Sequence, residues 1–147
     1  MMTALIYVNT LIFCSLSLIH FYWAIGGTWG AKVSIPSTTN AKPVFNPSVV
    51  ATLVVAFGLL FFALVVFSNL ALFNLLPVTL IRYGTLGIAF IFFLRTIGDF
   101  NYVGLFKQVK GTKFAIYDNQ FYVPLCAYLA ISCLLIIIFG RYKLALD

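Results

Sequence analysis

Apolar residues run along this chain in long stretches that polar segments interrupt only briefly. Residues 3–25 contain no charged side chain, and neither do residues 43–81. A helix that crosses a membrane needs about 20 mostly apolar residues to span about 30 Å of hydrocarbon. The first stretch is therefore long enough for one such helix, whereas the second is too long for a single helix.

Residues 74–77, with the sequence Asn-Leu-Leu-Pro, divide the second stretch, because proline suits the first turn of a helix and disfavours its interior. The third helix is the weakest of the predicted spans, since Arg82 and Arg95 must extend toward the two interfaces. The four predicted spans leave no room for another domain, so residues 1–147 are expected to form one all-α bundle. The spans are residues 3–25, 49–73, 77–97 and 122–140.

A signal peptide is the alternative interpretation of the first stretch. Such peptides begin with basic residues and have an apolar centre of roughly 7–15 residues. Residues 1–9 contain no Lys or Arg, and the apolar run that follows is longer than such a centre. The pattern therefore favours a first helix that stays in the protein.

The two long connections, residues 26–48 and 98–121, leave a four-span bundle on the same side. That side receives the ends of the first and third helices and the starts of the second and fourth. Nearly all of the unusual side chains lie there. The lysines of these two loops are Lys32, Lys42, Lys107, Lys110 and Lys113. By the positive-inside rule, they favour a cytoplasmic location for the loops and an external one for both termini.

The composition points in the same direction. Apolar residues make up 63% of the chain and charged residues 8%, and the mean hydropathy is +1.10. A soluble domain contains about 25% charged residues. These values exclude a soluble globule, a disordered chain, collagen and a coiled coil. The net charge of +6 comes from few residues placed against the membrane, so membrane lipids are the expected partners and nucleic acid is not.

His20 is the first candidate for chemistry, with Trp23 on the same helix face. An ionisable side chain within a membrane is costly and usually faces the bundle interior or a wet cavity. His20 could carry a proton, donate a hydrogen bond to a ligand, or bond to a neighbouring helix. The chain has no second His and no Glu, so no metal and no cofactor are expected. The glycine-rich residues 26–30 predict a tight turn or a segment folded over the helix ends.

Arg95 and Asp99 are four residues apart, so they can pair on one helix face if the helix continues. The arginine could clamp an anionic headgroup or a carboxylate, or the pair could simply end the third helix. Asp118 precedes the predicted fourth helix, where a carboxylate caps the helix N-terminus. The alternative role for Asp118 is an acid or base that faces His20.

Two further groups of residues carry weaker signals. Lys107, Lys110 and Lys113 recur every three residues, as in a basic amphipathic segment on anionic lipid or as solvated loop lysines. The three cysteines are Cys14, Cys126 and Cys133, and all of them lie within predicted spans. They form no Cys-x-x-Cys pair, which indicates a role in packing rather than in redox chemistry.

Three motifs in order resemble a family of short bacterial four-span membrane proteins described as a domain of unknown function. Residues 20–30 have the pattern His-x-x-Trp-x-x-Gly-Gly-x-Trp-Gly, and residues 95–104 the pattern Arg-x-Ile-Gly-Asp-Phe-x-Tyr-x-Gly. Residues 114–118 and 122–126 complete the resemblance, which covers nearly the whole chain. It implies a four-helix membrane fold and a multi-pass location in a bacterial inner membrane, and it implies no reaction.

Three functions are compatible with these residues. The favoured one is a binding protein that holds a lipid or small amphiphile in a polar pocket at the long-loop end. The second is a membrane enzyme that uses His20 as acid or base, with Asp99 or Asp118 tuning it. The third is a structural or accessory subunit of a membrane complex. The predicted pocket residues are His20, Trp23, Arg95, Asp99 and Asp118.

Overall fold

A computed structural model describes residues 1–40, 42–70 and 76–140 of the chain. Four of its helices are long and apolar enough to cross a membrane, which confirms the all-α four-span architecture that the sequence predicts. The helical segments in chain order are α1 (Met2–Ala24), α2 (Ala31–Ser34), α3 (Val49–Phe67) with a 3₁₀ turn (Ser68–Leu70), α4 (Val78–Ile97), α5 (Lys113–Tyr117), a π-helical turn (Asp118–Tyr122) and α6 (Val123–Phe139).

Local chemistry explains several of the helix ends. The Ser48 hydroxyl accepts a hydrogen bond of 3.1 Å from the Ala51 amide and so caps the start of α3. Helix α4 begins directly after Pro77, as predicted from the proline. The predicted break at Asn74, the last residues of the predicted second span, and Arg141 and Lys143 beyond the fourth all lie outside the described residues.

The helix that contains the predicted fourth span begins at Lys113, ahead of the predicted boundary at residue 122. It consists of α5, the π-helical turn and α6 in direct succession. The wide turn ends at Tyr122, two residues before Pro124, which has no amide hydrogen to donate to the preceding turn of helix. Pro124 therefore accompanies a local widening within a longer helix, not the start of one.

The bundle is built from two closely packed pairs of helices. Helix α1 packs along α3 and α4 packs along α6, and both contacts are more extensive than those between the pairs. Buried polar side chains link the pairs within the apolar core, where hydrogen bonds between helices favour association. Asn9 of α1 donates a hydrogen bond of 2.8 Å to Ser132 of α6, and Asn69 donates one of 3.0 Å to Thr85 of α4.

The two long loops, the first loop between α1 and α3 and the third loop between α4 and α5, lie together at one end of this bundle. Ser34, in α2 of the first loop, is hydrogen-bonded at 3.0 Å to the Tyr122 hydroxyl at the start of α6. Gly104, in the third loop, donates its amide to Asp118 at 2.9 Å. Both loops therefore cover the same ends of α1, α4 and the fourth span.

Candidate functional site

Asp118 is the centre of a buried cluster of charges at the long-loop end. Its side chain is fully buried, and both of its oxygens accept hydrogen bonds. Oδ1 accepts one of 2.9 Å from Nη2 of Arg95. Oδ2 accepts one of 2.9 Å from the Gly104 amide and another of 2.9 Å from Nζ of Lys107. A carboxylate buried in this way joins the end of α4, the third loop and the fourth span.

Lys107 is part of the same cluster, with only 2% of its side chain exposed. Its ammonium group donates to the Gly104 carbonyl oxygen at 2.9 Å, to Asp118 and to the side-chain oxygen of Asn119. Because an ammonium group has three N–H bonds, all of them are used. Neither a lipid-bound amphipathic segment nor a solvated loop describes Lys107, so that expectation is wrong for this lysine.

Arg95 pairs with Asp118 and not with Asp99, which corrects the pairing predicted from the sequence. Helix α4 ends at Ile97, and Gly98 then adopts φ +89°, so Asp99 leaves the helix face that Arg95 occupies. Oδ1 of Asp99 instead accepts hydrogen bonds from three amides of its own loop, those of residues 101, 102 and 103, at 2.7–2.9 Å. Burial alone would raise the pKa of Asp99, but these amides together hold its pKa below the ordinary value.

Two glycines allow the third loop to close on itself. A Cβ atom on Gly98 would lie 1.7 Å from the Val103 carbonyl oxygen, and one on Gly104 would lie 2.3 Å from the Ile97 carbonyl oxygen. Gly104 also has φ +90°, a conformation that favours glycine. This close crossing of the backbone brings the Gly104 amide to Asp118.

The structure gives Asp118 neither of the roles that its position in the sequence suggests. The helix is capped by Thr112, whose hydroxyl accepts a hydrogen bond of 3.1 Å from the Ala115 amide. Asp118 lies one and a half turns further on, within the helix. Both of its oxygens are taken by the cluster, so it does not act on His20 through a hydrogen bond in the described part of the chain.

The guanidinium of Arg95 is the part of the cluster that is not fully paired. Of its five N–H bonds, one on Nη2 reaches Asp118. Nη1 is buried and has no hydrogen-bond partner among the described residues, which typically costs about 1–3 kcal/mol. The arginine lines a cavity of about 410 Å³ together with Ser34 and Phe45 of the first loop and Asp99 of the third.

His20 and Trp23 form a second polar group at the same end of the bundle. Nδ1 of His20 lies 2.8 Å from the Leu16 carbonyl oxygen and donates a hydrogen bond to it, because a carbonyl oxygen can only accept, and Nε2 is left as the second polar atom of the ring. The His20 and Trp23 rings meet edge to face at 4.8 Å. The indole of Trp23 donates to the Trp29 carbonyl oxygen at 2.7 Å, which fixes the glycine-rich segment over the end of α1.

Two cavities adjoin this second group. One of about 580 Å³ lies between α1, the first loop and the start of α3. The other, of about 730 Å³, lies between α1, the first loop and the fourth span. His20, Trp23 and Ser34 line both of them, and Ser34 also lines the cavity beside Arg95.

The structure thus separates the five predicted pocket residues into two neighbouring groups: His20 with Trp23, and Arg95 with Asp118 and, on the loop beside them, Asp99. Sequence reasoning missed the residues that connect these groups or complete them, namely Ser34, Gly104, Lys107 and Asn119. Of these, Gly104 closes the motif that begins at Arg95, whereas the spacing of Lys107 pointed to a different role, in a lipid-bound or solvated segment.

Comparison with known proteins adds a family. A family model described as "Protein of unknown function (DUF3995)" matches residues 13–133. The chain belongs to this family. The part that matches DUF3995 includes His20, the whole Asp118 cluster and the residues that line all three cavities at the long-loop end. No curated protein and no solved structure matches the chain.

Proposed function

We propose that this multi-pass DUF3995 protein binds a lipid or another small amphiphile at the long-loop end of its bundle. The observation that carries the proposal is the cavity of about 730 Å³ between α1, the first loop and the fourth span. Sites for small molecules typically have volumes of about 300–1,000 Å³ and combine apolar walls with a few polar groups.

The lining of this cavity suits a molecule that is apolar at one end and polar at the other. Trp23, Phe121 and Tyr122 supply aromatic walls, and His20 and Lys32 supply polar groups. The cavity lies at the helix ends, at the level where aromatic side chains of membrane proteins meet the headgroup layer. Trp29, with 73% of its surface exposed, extends from the same edge. A molecule dissolved in the membrane can therefore present its polar end here.

Each predicted pocket residue has a role in this proposal. His20 and Trp23 line the cavity and contact the ligand, while Asp118 and Asp99 hold the loop and Arg95 in place. We further propose that the membrane is the bacterial inner membrane, with lipids as the natural partners.

Native mass spectrometry of the detergent-purified protein, titrated with dodecanol, tests the proposal. Val33→Trp places a large ring in the cavity of about 730 Å³, and we expect it to abolish binding. Val54→Trp is the matched control, because Val54 is 66% exposed on α3 and lines none of the described cavities at this end. Equal binding by wild type and Val33→Trp would contradict the proposal, as would an equal loss in both variants.

An enzyme that uses His20 as acid or base is the second candidate. The bond from Nδ1 to Leu16 fixes one tautomer and leaves Nε2 without a hydrogen-bond partner among the described residues, which an acid–base role requires. His20→Gln separates the two functions. In an enzyme the substitution abolishes turnover, whereas in a binding protein it only weakens binding. In a structural subunit it would instead unfold the protein or release a partner.

A further inference from the structure

We propose that the guanidinium of Arg95 binds an oxyanion, a carboxylate or a phosphate, in the cavity of about 410 Å³ between the first and third loops. The inference rests on the proposed function and deepens it, because it names the chemistry of the ligand's polar end. The ligand is then an anionic amphiphile rather than any apolar molecule that fits the larger cavity.

The charges in the Asp118 cluster do not balance. Arg95 and Lys107 supply two positive charges, and Asp118 supplies one negative charge. All three N–H bonds of Lys107 are used within the cluster, two of them on side-chain oxygens. Arg95, in contrast, shares a single hydrogen bond with Asp118. The unmatched positive charge therefore resides on Arg95.

Asp99 lines the same cavity and carries the other negative charge in reach, so its effect must be weighed. Its Oδ1 accepts three hydrogen bonds from amides of its own loop, which offset part of its charge. Both ion pairs among the described residues involve Asp118, and neither involves Asp99. Asp99 therefore does not occupy the position on Arg95 that a ligand would take.

The free donors of Arg95 also have a geometry that suits an oxyanion. A guanidinium presents its N–H bonds in a planar fork that matches carboxylate and phosphate oxygens. Nη1 is buried without a hydrogen-bond partner in the described structure, and Arg95 lines the cavity, so an oxyanion bound against the guanidinium would supply the missing acceptor. Ser34 lines both this cavity and the larger one, which places the polar and apolar parts of one ligand side by side.

The test compares dodecyl phosphate, laurate, dodecanol and inorganic phosphate as ligands of the full chain by native mass spectrometry. We expect the two anionic amphiphiles to bind wild type about tenfold more tightly than dodecanol, the difference that one charge-assisted hydrogen bond gives. If inorganic phosphate binds saturably and none of the three amphiphiles does, the ligand is a free anion. That result would overturn the proposed amphiphile but would leave the oxyanion site at Arg95 in place.

Arg95→Lys is the decisive variant, because lysine keeps a positive charge beside Asp118 and loses the fork. We expect its affinity for dodecyl phosphate to fall about tenfold, and to fall by clearly more than its affinity for dodecanol. Arg82→Lys, on the exposed opposite end of α4, is the matched control and should change neither affinity.

The outcomes separate this inference from the proposed function. If wild type binds dodecanol as tightly as dodecyl phosphate, the oxyanion site is wrong and the amphiphile pocket stands. If none of the four ligands binds, both are wrong. An equal loss in Arg95→Lys and Arg82→Lys would show general attraction of anions to a basic protein and would overturn the site at Arg95. Should Arg95→Lys fail to fold, the comparison of ligands on wild type still decides.

Discussion

Two polar regions lie at the same end of this bundle and use their polar groups in opposite ways. Around Asp118, both carboxylate oxygens and all three N–H bonds of Lys107 are engaged, and together they hold the third loop against the fourth span. Around His20, one ring nitrogen bonds to its own helix, and the side chain lines two cavities. Polar groups at the same end of a bundle can therefore serve either architecture or a ligand, and the space beside them decides between the two.

Arg95 belongs to both regions. It bonds to the fully engaged carboxylate of Asp118, and it also lines a cavity with donors to spare. About a third of its side chain is exposed, whereas Asp118 and Lys107 are almost completely buried. We therefore expect substitutions in the Asp118 cluster to act first on stability, and substitutions around His20 to act first on binding.

The largest effect is expected for Asp118→Ala. It leaves Lys107, buried to all but 2% of its side chain, without a carboxylate partner. Removing one partner of a buried ion pair typically costs about 3–5 kcal/mol of unfolding free energy. Thermal unfolding in detergent measures the loss. Replacing Lys107 by Met in the same background should restore part of it, since the stranded charge is then removed. A melting curve like that of wild type would show that the cluster does not hold the fold.

A smaller loss is expected for Gly104→Ala. The new Cβ would lie 2.3 Å from the Ile97 carbonyl oxygen at a positive φ, so the loop must shift and its bond to Asp118 must weaken. Backbone strain of this kind costs about 1–3 kcal/mol.

Gly111→Ala is the matched control for that measurement. Gly111 has a similar φ of +88°, but no described atom comes within 4 Å of the added Cβ. The difference between the two melting temperatures isolates the backbone contact. If both substitutions lower stability equally, the crossing of Gly98 and Gly104 contributes nothing beyond its φ angles.

The four-span fold could be predicted because membrane helices are determined by length and hydrophobicity alone. The position of Arg95 at the end of the third span followed from the same pattern. The ion-pair partner of Arg95 did not follow from it, because residues four apart lie on one helix face only if the helix continues to Asp99. Gly98 was the sign that it ends, since glycine with positive φ commonly follows the last helical residue.

The remaining errors also have physical causes. Lys107 lies 11 residues from Asp118 and finds it only because the third loop folds back, and no local pattern encodes that distance. The helix start at Thr112 had a local signal, a hydroxyl side chain that can cap the first turn. The long apolar run from residue 122 onward obscured it. Ser34 became part of the site solely through the packing of the first loop.

In the second region, His20→Gln should change stability little and binding more. The imidazole makes one hydrogen bond to the Leu16 carbonyl oxygen and one ring contact with Trp23, so we expect a loss of about 1 kcal/mol or less. Dodecanol titrated into the variant, followed by native mass spectrometry, should show weaker binding. A loss of stability as large as that of Asp118→Ala would mean that His20 is structural and that the two regions do not differ as described.

The smallest effect is expected for Asp99→Asn, and it depends on pH. The amides of residues 101, 102 and 103 hold the pKa of Asp99 below its ordinary value. The ionised carboxylate is therefore more stable in the folded protein than in the unfolded chain. The stabilisation is present above the unfolded pKa of about 3.9 and is lost as the pH falls through the lower, folded value. Melting temperatures of wild type and variant should therefore differ near neutral pH and converge in strong acid. Asp99 is exposed, so the difference will be slight. Curves that stay parallel at every pH would show that the three amides do not distinguish the carboxylate from an amide oxygen, and that Asp99 acts on the loop by shape alone.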